Sequence, residues 1–360
     1  MKPNTIFLPE TIIDTHCHGR DMGQSYKATV EQTLRDALRG NIGVTVFMPN
    51  TDPPIVDLPT LNLYMRIINN AITTLGLENR QYVYFGVRDD NLNTCEAALK
   101  FSSVVGLKIY PVGVTTGVKI GVSKKETILN ALRLVARNDK VLAVHCDDPE
   151  VIAQEGHTIG AEVSFLKKVI SLARQVPQVK VVICHVSCRE SAEIILRAQQ
   201  EGLKIALEIC PHYLWFDDEK TNWNSNLDPI FYHCYNKLRS LSDRHYLNSL
   251  IRDNNPLIFV GSDNAPHTST EKLIHKTGGL PTNQEMVAVI ITLAVKMGLS
   301  ERQTGNLLCH NAANFLGIHV PYGKNEYRLM EKVDDISYNE AKIVNPWNGS
   351  CLIFATPINK

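Results

Sequence analysis

The first apolar run of the chain closes on Asp14-Thr15-His16-Cys17-His18-Gly19-Arg20. Strand side chains alternate with period two, so His16 and His18 point to the same side. Two neutral imidazoles on one face are half of a metal site. Later apolar runs end in further chemical residues: Ala143-Val144-His145, Ile183-Cys184-His185 and Gly261-Ser262-Asp263. Lys108 lies inside the apolar run Val104–Tyr110, where a lysine is costly unless neutralised or paired. Four histidines, a buried lysine and an aspartate at successive strand ends make a donor set suited to a divalent metal.

Something must bring these residues together. The candidate strands are Ile12–His16, Val44–Met48, Tyr82–Val87, Val104–Tyr110, Val141–His145, Lys180–His185, Lys204–Ile209 and Leu257–Ser262. Most are continuously apolar, which marks strands buried on both faces of a parallel sheet. Helical stripes lie between them, at Val30–Leu38, Leu61–Ile72, Thr127–Ala136, Ala161–Ala173 and Ser191–Gln200. Further helices are expected near Ser242–Ile251, Gln284–Met297 and Arg302–Phe315. Eight strands alternating with helices predict an α/β fold, a (β/α)8 TIM barrel. A doubly wound open sheet is the rival, but it would gather the chemistry at one switch point. Here the chemical residues sit at the C-terminal ends of nearly all strands, where barrel sites lie. The barrel domain is expected over residues 9–317. Residues 1–8 and 318–360 are expected to pack outside it, the tail being polar and irregular.

Composition narrows the class. The chain has 360 residues, 44% hydrophobic, with 37 basic and 37 acidic side chains. That balance gives no reason to expect nucleic acid or an anionic membrane as a partner. No apolar stretch reaches the ~18 residues of a transmembrane helix, and the opening run is too short and too acidic for a signal peptide. Nine cysteines without framework spacing fit buried thiols in a reducing, cytoplasmic setting.

Six segments carry a family resemblance: DTHCHGRD (Asp14–Asp21), FMPNT (Phe47–Thr51), GLKIYP (Gly106–Pro111), HCDDPE (His145–Glu150), ICHVS (Ile183–Ser187) and GSDNAPHT (Gly261–Thr268). In this order they resemble the metal-dependent amidohydrolase superfamily and, within it, the dihydroorotases. The resemblance runs from about Leu8 to Gly317. It implies two zinc ions, with His16, His18 and Asp263 on one, His145 and His185 on the other, and Lys108, carboxylated by carbon dioxide, between them. A carbamate turns a costly buried cation into an anion that two cations can share. Asp263 is then the catalytic base, taking a proton from the metal-activated water and passing it to the leaving nitrogen.

The reaction implied is the reversible cyclisation of N-carbamoyl-L-aspartate to L-dihydroorotate, a step of pyrimidine synthesis. Its substrate carries a carboxylate, for which the resemblance supplies Arg20, Asn50 and His267; an arginine can clamp a carboxylate bidentately. Thr115 and Thr116, in the loop Pro111–Val122, resemble the paired threonines of a mobile lid. Arg239 lies in a segment that resembles a substrate-proximal one. Glu208, Cys184 and His212 are read as supporting residues. Asn264 departs from the family's usual histidine or serine, and the accessory β-domain is reduced to the chain ends. The resemblance also implies a small-molecule substrate, a homodimer and association with aspartate transcarbamoylase. Two other readings remain: another cyclic amidohydrolase, such as a hydantoinase or allantoinase, and a non-catalytic scaffold for aspartate transcarbamoylase.

Overall fold

Continuous apolar runs have two faces to bury, and both are buried here. The computed structural model describes residues 4–111, 120–338 and 342–358. Strand β1 (Thr5–Pro9) precedes eight parallel strands. These are β2 (Ile13–Cys17), β3 (Val44–Phe47), β4 (Tyr82–Gly86), β5 (Val104–Ile109), β6 (Val141–Val144), β7 (Lys180–Ile183), β8 (Lys204–Ile209) and β9 (Ile258–Val260). They pair in sequence order from β2 to β9, each beside the next. The expected strands are present, most with ends shifted by one or two residues.

The ring closes between its first and last strands at the C-terminal rim. Cys17 bridges to Asn264, and the His18 N–H donates to the Asn264 carbonyl at 2.9 Å. The Asp14 carboxylate accepts from the Ser262 N–H at 2.7 Å and from its hydroxyl at 2.6 Å. The expected (β/α)8 barrel is therefore the observed fold. Inside it, Val46, Met48, Tyr84, Val182, Cys184, Ala206 and Phe259 belong to one buried cluster. Phe315 and Leu316 of the helix Asn311–Leu316 join the same cluster, beside the strand starts at Ile13, Val44 and Val141.

Local chemistry explains the helices. Thr29 caps Val30–Arg39 in a reciprocal capping box with Gln32. Asp57 caps Leu58–Leu75, which stops at Gly76 in the left-handed region. The helix expected over Arg302–Phe315 is broken by a π turn at Asn306–His310. Three short helices carry no clear stripe in the sequence: Pro149–Glu155, Pro211–Trp215 and Ser269–His275.

The irregular tail is a correction. β10 (Lys324–Val333) and β11 (Cys351–Pro357) form an antiparallel three-stranded sheet with β1, in the order β1-β10-β11. β10 has one solvated face and reads as polar, so its sequence lacks the apolar run of a parallel strand. Ile353 of β11 donates its N–H to Thr292 on the helix Met286–Met297 at 2.7 Å, docking the sheet on the barrel. Among the described residues no helix is long and apolar enough to cross a membrane.

Candidate metal and substrate site

The closing seam sets the first donor group. β2 and β3 shift register between Asp14 and Cys17, a bulge of the kind that re-aims side chains beside active sites. Asp14 accepts the His16 N–H at 3.0 Å as well as both Ser262 groups, so one buried carboxylate ties the histidine strand to the Asp263 segment. Burial pushes Asp14 up to about 6 against those hydrogen bonds. Across the seam, Asp263 Oδ1 lies 3.2 Å from His16 Nε2 and 3.0 Å from His18 Nε2. Burial would raise the Asp263 carboxyl, but His16 and His18 hold it well below the usual carboxylate range.

The other ring nitrogens are fixed from outside. His16 Nδ1 meets Glu208 Oε1 at 2.7 Å, and Glu208 also accepts the Thr15 hydroxyl at 2.8 Å and the His185 N–H at 3.2 Å. Burial opposes a charge on His16, yet Glu208 and Asp263 outweigh it and push the ring up to about 10. His18 Nδ1 meets Asn50 Oδ1 at 2.7 Å, and burial lowers this ring to about 4. Each partner leaves Nε2 free to face Asp263, as in carboxylate–histidine–metal arrangements.

The second donor group comes from β5, β6 and β7. His145 Nδ1 and His185 Nε2 face each other at 2.9 Å, and both rings are held neutral by burial. His145 Nε2 and His185 Nδ1 are buried with no hydrogen-bond partner. Lys108 points into the barrel and donates to Cys184 Sγ at 2.9 Å, with its ammonium 4.8 Å from the Tyr110 ring centre. His185 and Asp263 both have positive φ, 39° and 48°. Non-glycine residues are uncommon there, and such strain clusters at functional sites.

These atoms fit a divalent metal. His16, His18 and Asp263 offer three donors within 4.8 Å of one another, and so do His16, Cys184 and Glu208. The neutral pair His145 and His185 supplies two further nitrogens.

A single cavity joins these donors to a cationic wall. His16, His18, His145, His185 and Asp263 line it together with Arg20, Asn50 and His267. Arg20 Nη2 lies 3.1 Å from His267 Nε2, and burial, with Arg20 and Lys27 adding to it, pushes His267 down to about 3. Gln24, Lys27, Tyr110 and Tyr235 also line the cavity and went unassigned to the site from sequence, whereas Gly279, also in the lining, begins the Gly279-Leu280-Pro281 stretch where the resemblance implies backbone contacts to the substrate ring. Gly279 sits at φ 138°, and a Cβ there would meet the Ala265 carbonyl at 2.6 Å, so the wall needs glycine. Thr115 and Thr116 lie outside the described residues.

The structure does not bring Arg239 to this wall. Its guanidinium donates to the Ser187 hydroxyl at 3.0 Å and the His157 carbonyl at 3.1 Å, and lies 3.6 Å from Glu162. It therefore braces the turn after His185. Glu208 is a direct partner of His16, as its reading as a supporting residue anticipated. Lys27 follows His18 by nine residues in an irregular loop, and no spacing could have marked it.

The chain is similar in sequence and in fold to known proteins. A dihydroorotase of Pyrococcus abyssi is 32% identical over 304 residues, covering 82% of this chain and 65% of its own length. A dihydroorotase of Fusobacterium nucleatum is 26% identical, covering 95% of this chain and 80% of its own. The fold matches the crystal structure of a Saccharomyces cerevisiae dihydroorotase in complex with 5-fluoroorotic acid (TM-score 0.84, 19% identity, 99% of this chain and 100% of that one). It matches an Arthrobacter aurescens L-hydantoinase nearly as well (TM-score 0.83, 19% identity, 98% and 83%). The amidohydrolase family model spans residues 11–324, from the His16 strand through Asp263 to the start of β10, and the chain belongs to that family.

Proposed function

We propose that this protein is a zinc-dependent dihydroorotase, interconverting N-carbamoyl-L-aspartate and L-dihydroorotate in pyrimidine synthesis. One observation carries the reading: the histidine–aspartate donors and the Arg20–Asn50–His267 wall share one cavity. A hydantoinase needs the donors but has no substrate carboxylate to bind. The fold alone leaves the two readings level, so the cationic wall decides between them.

His16, His18 and Asp263 would hold one zinc, and His145 and His185 would hold a second. Lys108, if carboxylated on Nζ, would supply an anionic donor to both. When bound, the metal pair lowers the pKa of water and polarises the ring carbonyl. Arg20 and His267 bind the substrate carboxylate, and Asn50 adds an amide donor. Asp263 takes the proton from the attacking water and hands it to the ring nitrogen as the bond between that nitrogen and the carbonyl carbon breaks. The products are the new carboxylate and the ureido NH2, so ring opening consumes one water. Residues 9–317 form the catalytic unit, and the family resemblance assigns Thr115 and Thr116 to substrate binding. A homodimer in the cytoplasm, associating with aspartate transcarbamoylase, completes the reading.

The test is ring opening by the zinc-loaded protein, with L-dihydroorotate, hydantoin and allantoin compared and Asp263→Ala as control. Turnover of L-dihydroorotate alone, lost in the control, is expected. Turnover of the other rings instead would remove Arg20, Asn50 and His267 from substrate binding. No turnover of any ring, with zinc bound, would favour the scaffold reading.

A further inference from the structure

Two cations face one neutral imidazole in the cavity wall. His267 Nε2 lies 3.1 Å from Arg20 Nη2, and His267 Nδ1 lies 3.3 Å from Lys27 Nζ and 3.6 Å from Glu271 Oε2. A guanidinium or an ammonium can only donate, and a neutral imidazole accepts at one nitrogen only. The ring therefore cannot accept from both. Its single N–H has two outlets: from Nδ1 it reaches Glu271, and from Nε2 it points where Arg20 points.

A bound carboxylate removes the conflict. It takes the Arg20 N–H groups and the Nε2–H together, and Nδ1 then accepts from Lys27. The surroundings hold Lys27 in place for this. Its ammonium lies 2.7 Å from Glu271 Oε1, in an ion pair whose two side chains are 7% and 13% exposed. The Tyr26 hydroxyl donates to Glu271 Oε1 at 2.8 Å, and the Thr268 N–H donates to Oε2 at 3.0 Å. Glu271 also completes the capping box of the helix Ser269–His275, so the carboxylate that holds Lys27 is fixed by the fold.

We propose that Lys27 is a positioning and specificity residue for the carboxylate pocket: by donating to His267 Nδ1 it makes Nε2–H the group that meets the substrate carboxylate. The inference rests on the dihydroorotase reading above. It adds a role that spacing and motif leave unassigned.

Lys27→Met removes the donor and leaves Glu271, which then claims the Nδ1–H. Nε2 would turn a lone pair on the substrate carboxylate. The assay is run with zinc-loaded protein at pH 8, above the ordinary imidazole value of about 6.5. KM for L-dihydroorotate is expected to rise at least about tenfold, with kcat changed less than about threefold. In Lys27→Met/Glu271→Gln, the new amide can donate to Nδ1 in place of Lys27. KM should then return most of the way to the wild-type value. A merely structural ion pair would instead move Tm, which falls in Lys27→Met and recovers in the double variant as the unpaired buried charge is removed, while KM stays near the wild-type value in both.

An unchanged KM in Lys27→Met, or a double variant no better than the single, would overturn the inference. The wild type gives a check that needs no variant: in selectively 15N-labelled protein with orotate bound, His267 should carry its proton on Nε2. A proton on Nδ1 would also overturn the inference. If the wild type fails to open L-dihydroorotate, the dihydroorotase reading itself falls and Lys27 loses this role with it. Failure confined to the variants leaves that reading standing.

Discussion

Asn50 has two ends, and the site uses them differently. Its Oδ1 takes the Nδ1 side of His18 at 2.7 Å, which fixes that ring with Nε2 toward Asp263. In the proposed function its NH2 meets the substrate carboxylate. Asn50→Asp keeps the acceptor and replaces the donor with a negative charge. Zinc content should stay near that of the wild type, while KM for L-dihydroorotate rises at least about tenfold. Metal analysis beside steady-state kinetics checks both halves. Glu208 is the contrasting case, since its carboxylate serves His16 rather than the substrate. Glu208→Gln weakens the acceptor behind a ligand, and loss of such partners costs about 10–100-fold in metal affinity or activity. Chelator competition should show that loss directly. At this scale the sequence was legible where residue type, strand parity and motif coincide, as at His16, His18 and Asp263. It was silent on Lys27 and Glu271, whose meeting across 244 positions depends on loop geometry that leaves no periodic trace.

The elements explain why parity sufficed for the donors. Barrel sites lie at the C-terminal strand ends, and His145 stands one residue past β6 and His185 two past β7. The short helix Ser269–His275 is different: it carries Glu271 to the cavity and has no apolar stripe to announce it. Its anchor is Lys272, 3% exposed, which donates to the His233 carbonyl at 2.7 Å. That carbonyl also takes the N–H of Gly279, so helix and cavity wall share one acceptor. Burial lowers Lys272 from its usual 10.5 to about 7. The unfolded chain therefore binds a proton across this window that the folded chain does not, and stability rises with pH there. The penalty of burying the charged amine is full below about 7 and fades toward 10.5. Tm measured from pH 7 to 10 should rise less steeply in Lys272→Met than in the wild type. Equal slopes would mean that Lys272 keeps its charge in the fold.

At the scale of the whole molecule, the terminal sheet and the site are one mechanical unit. Trp347, fully buried, packs its ring 4.6 Å from that of Phe216 and donates its indole N–H to the Pro281 carbonyl at 2.9 Å. Pro281 directly follows the Gly278–Leu280 stretch, where Leu280 accepts the Ala265 N–H at 2.8 Å and Gly279 lines the cavity. Nearby, Tyr338 and Asn345 donate to the buried Glu285, which burial pushes well above the usual carboxylate range. The tail thus holds from behind the wall that carries Ala265 and faces His267. Its polar, one-sided strand hid this in the sequence, because only tertiary contact shows what Trp347 touches. Trp347→Ala should destabilise the protein by about 3–5 kcal/mol, the usual cost of emptying a large buried aromatic site. The effect on activity separates a remote prop from a coupled one. If the tail only stabilises the barrel, kinetics well below Tm will match the wild type. If it fixes the wall, KM for L-dihydroorotate rises at temperatures where the variant is still fully folded, with zinc content unchanged because no donor lies on the displaced stretch. The shared Pro281 and Gly279 contacts favour the second outcome, and titrating substrate at two temperatures below the variant's Tm decides it.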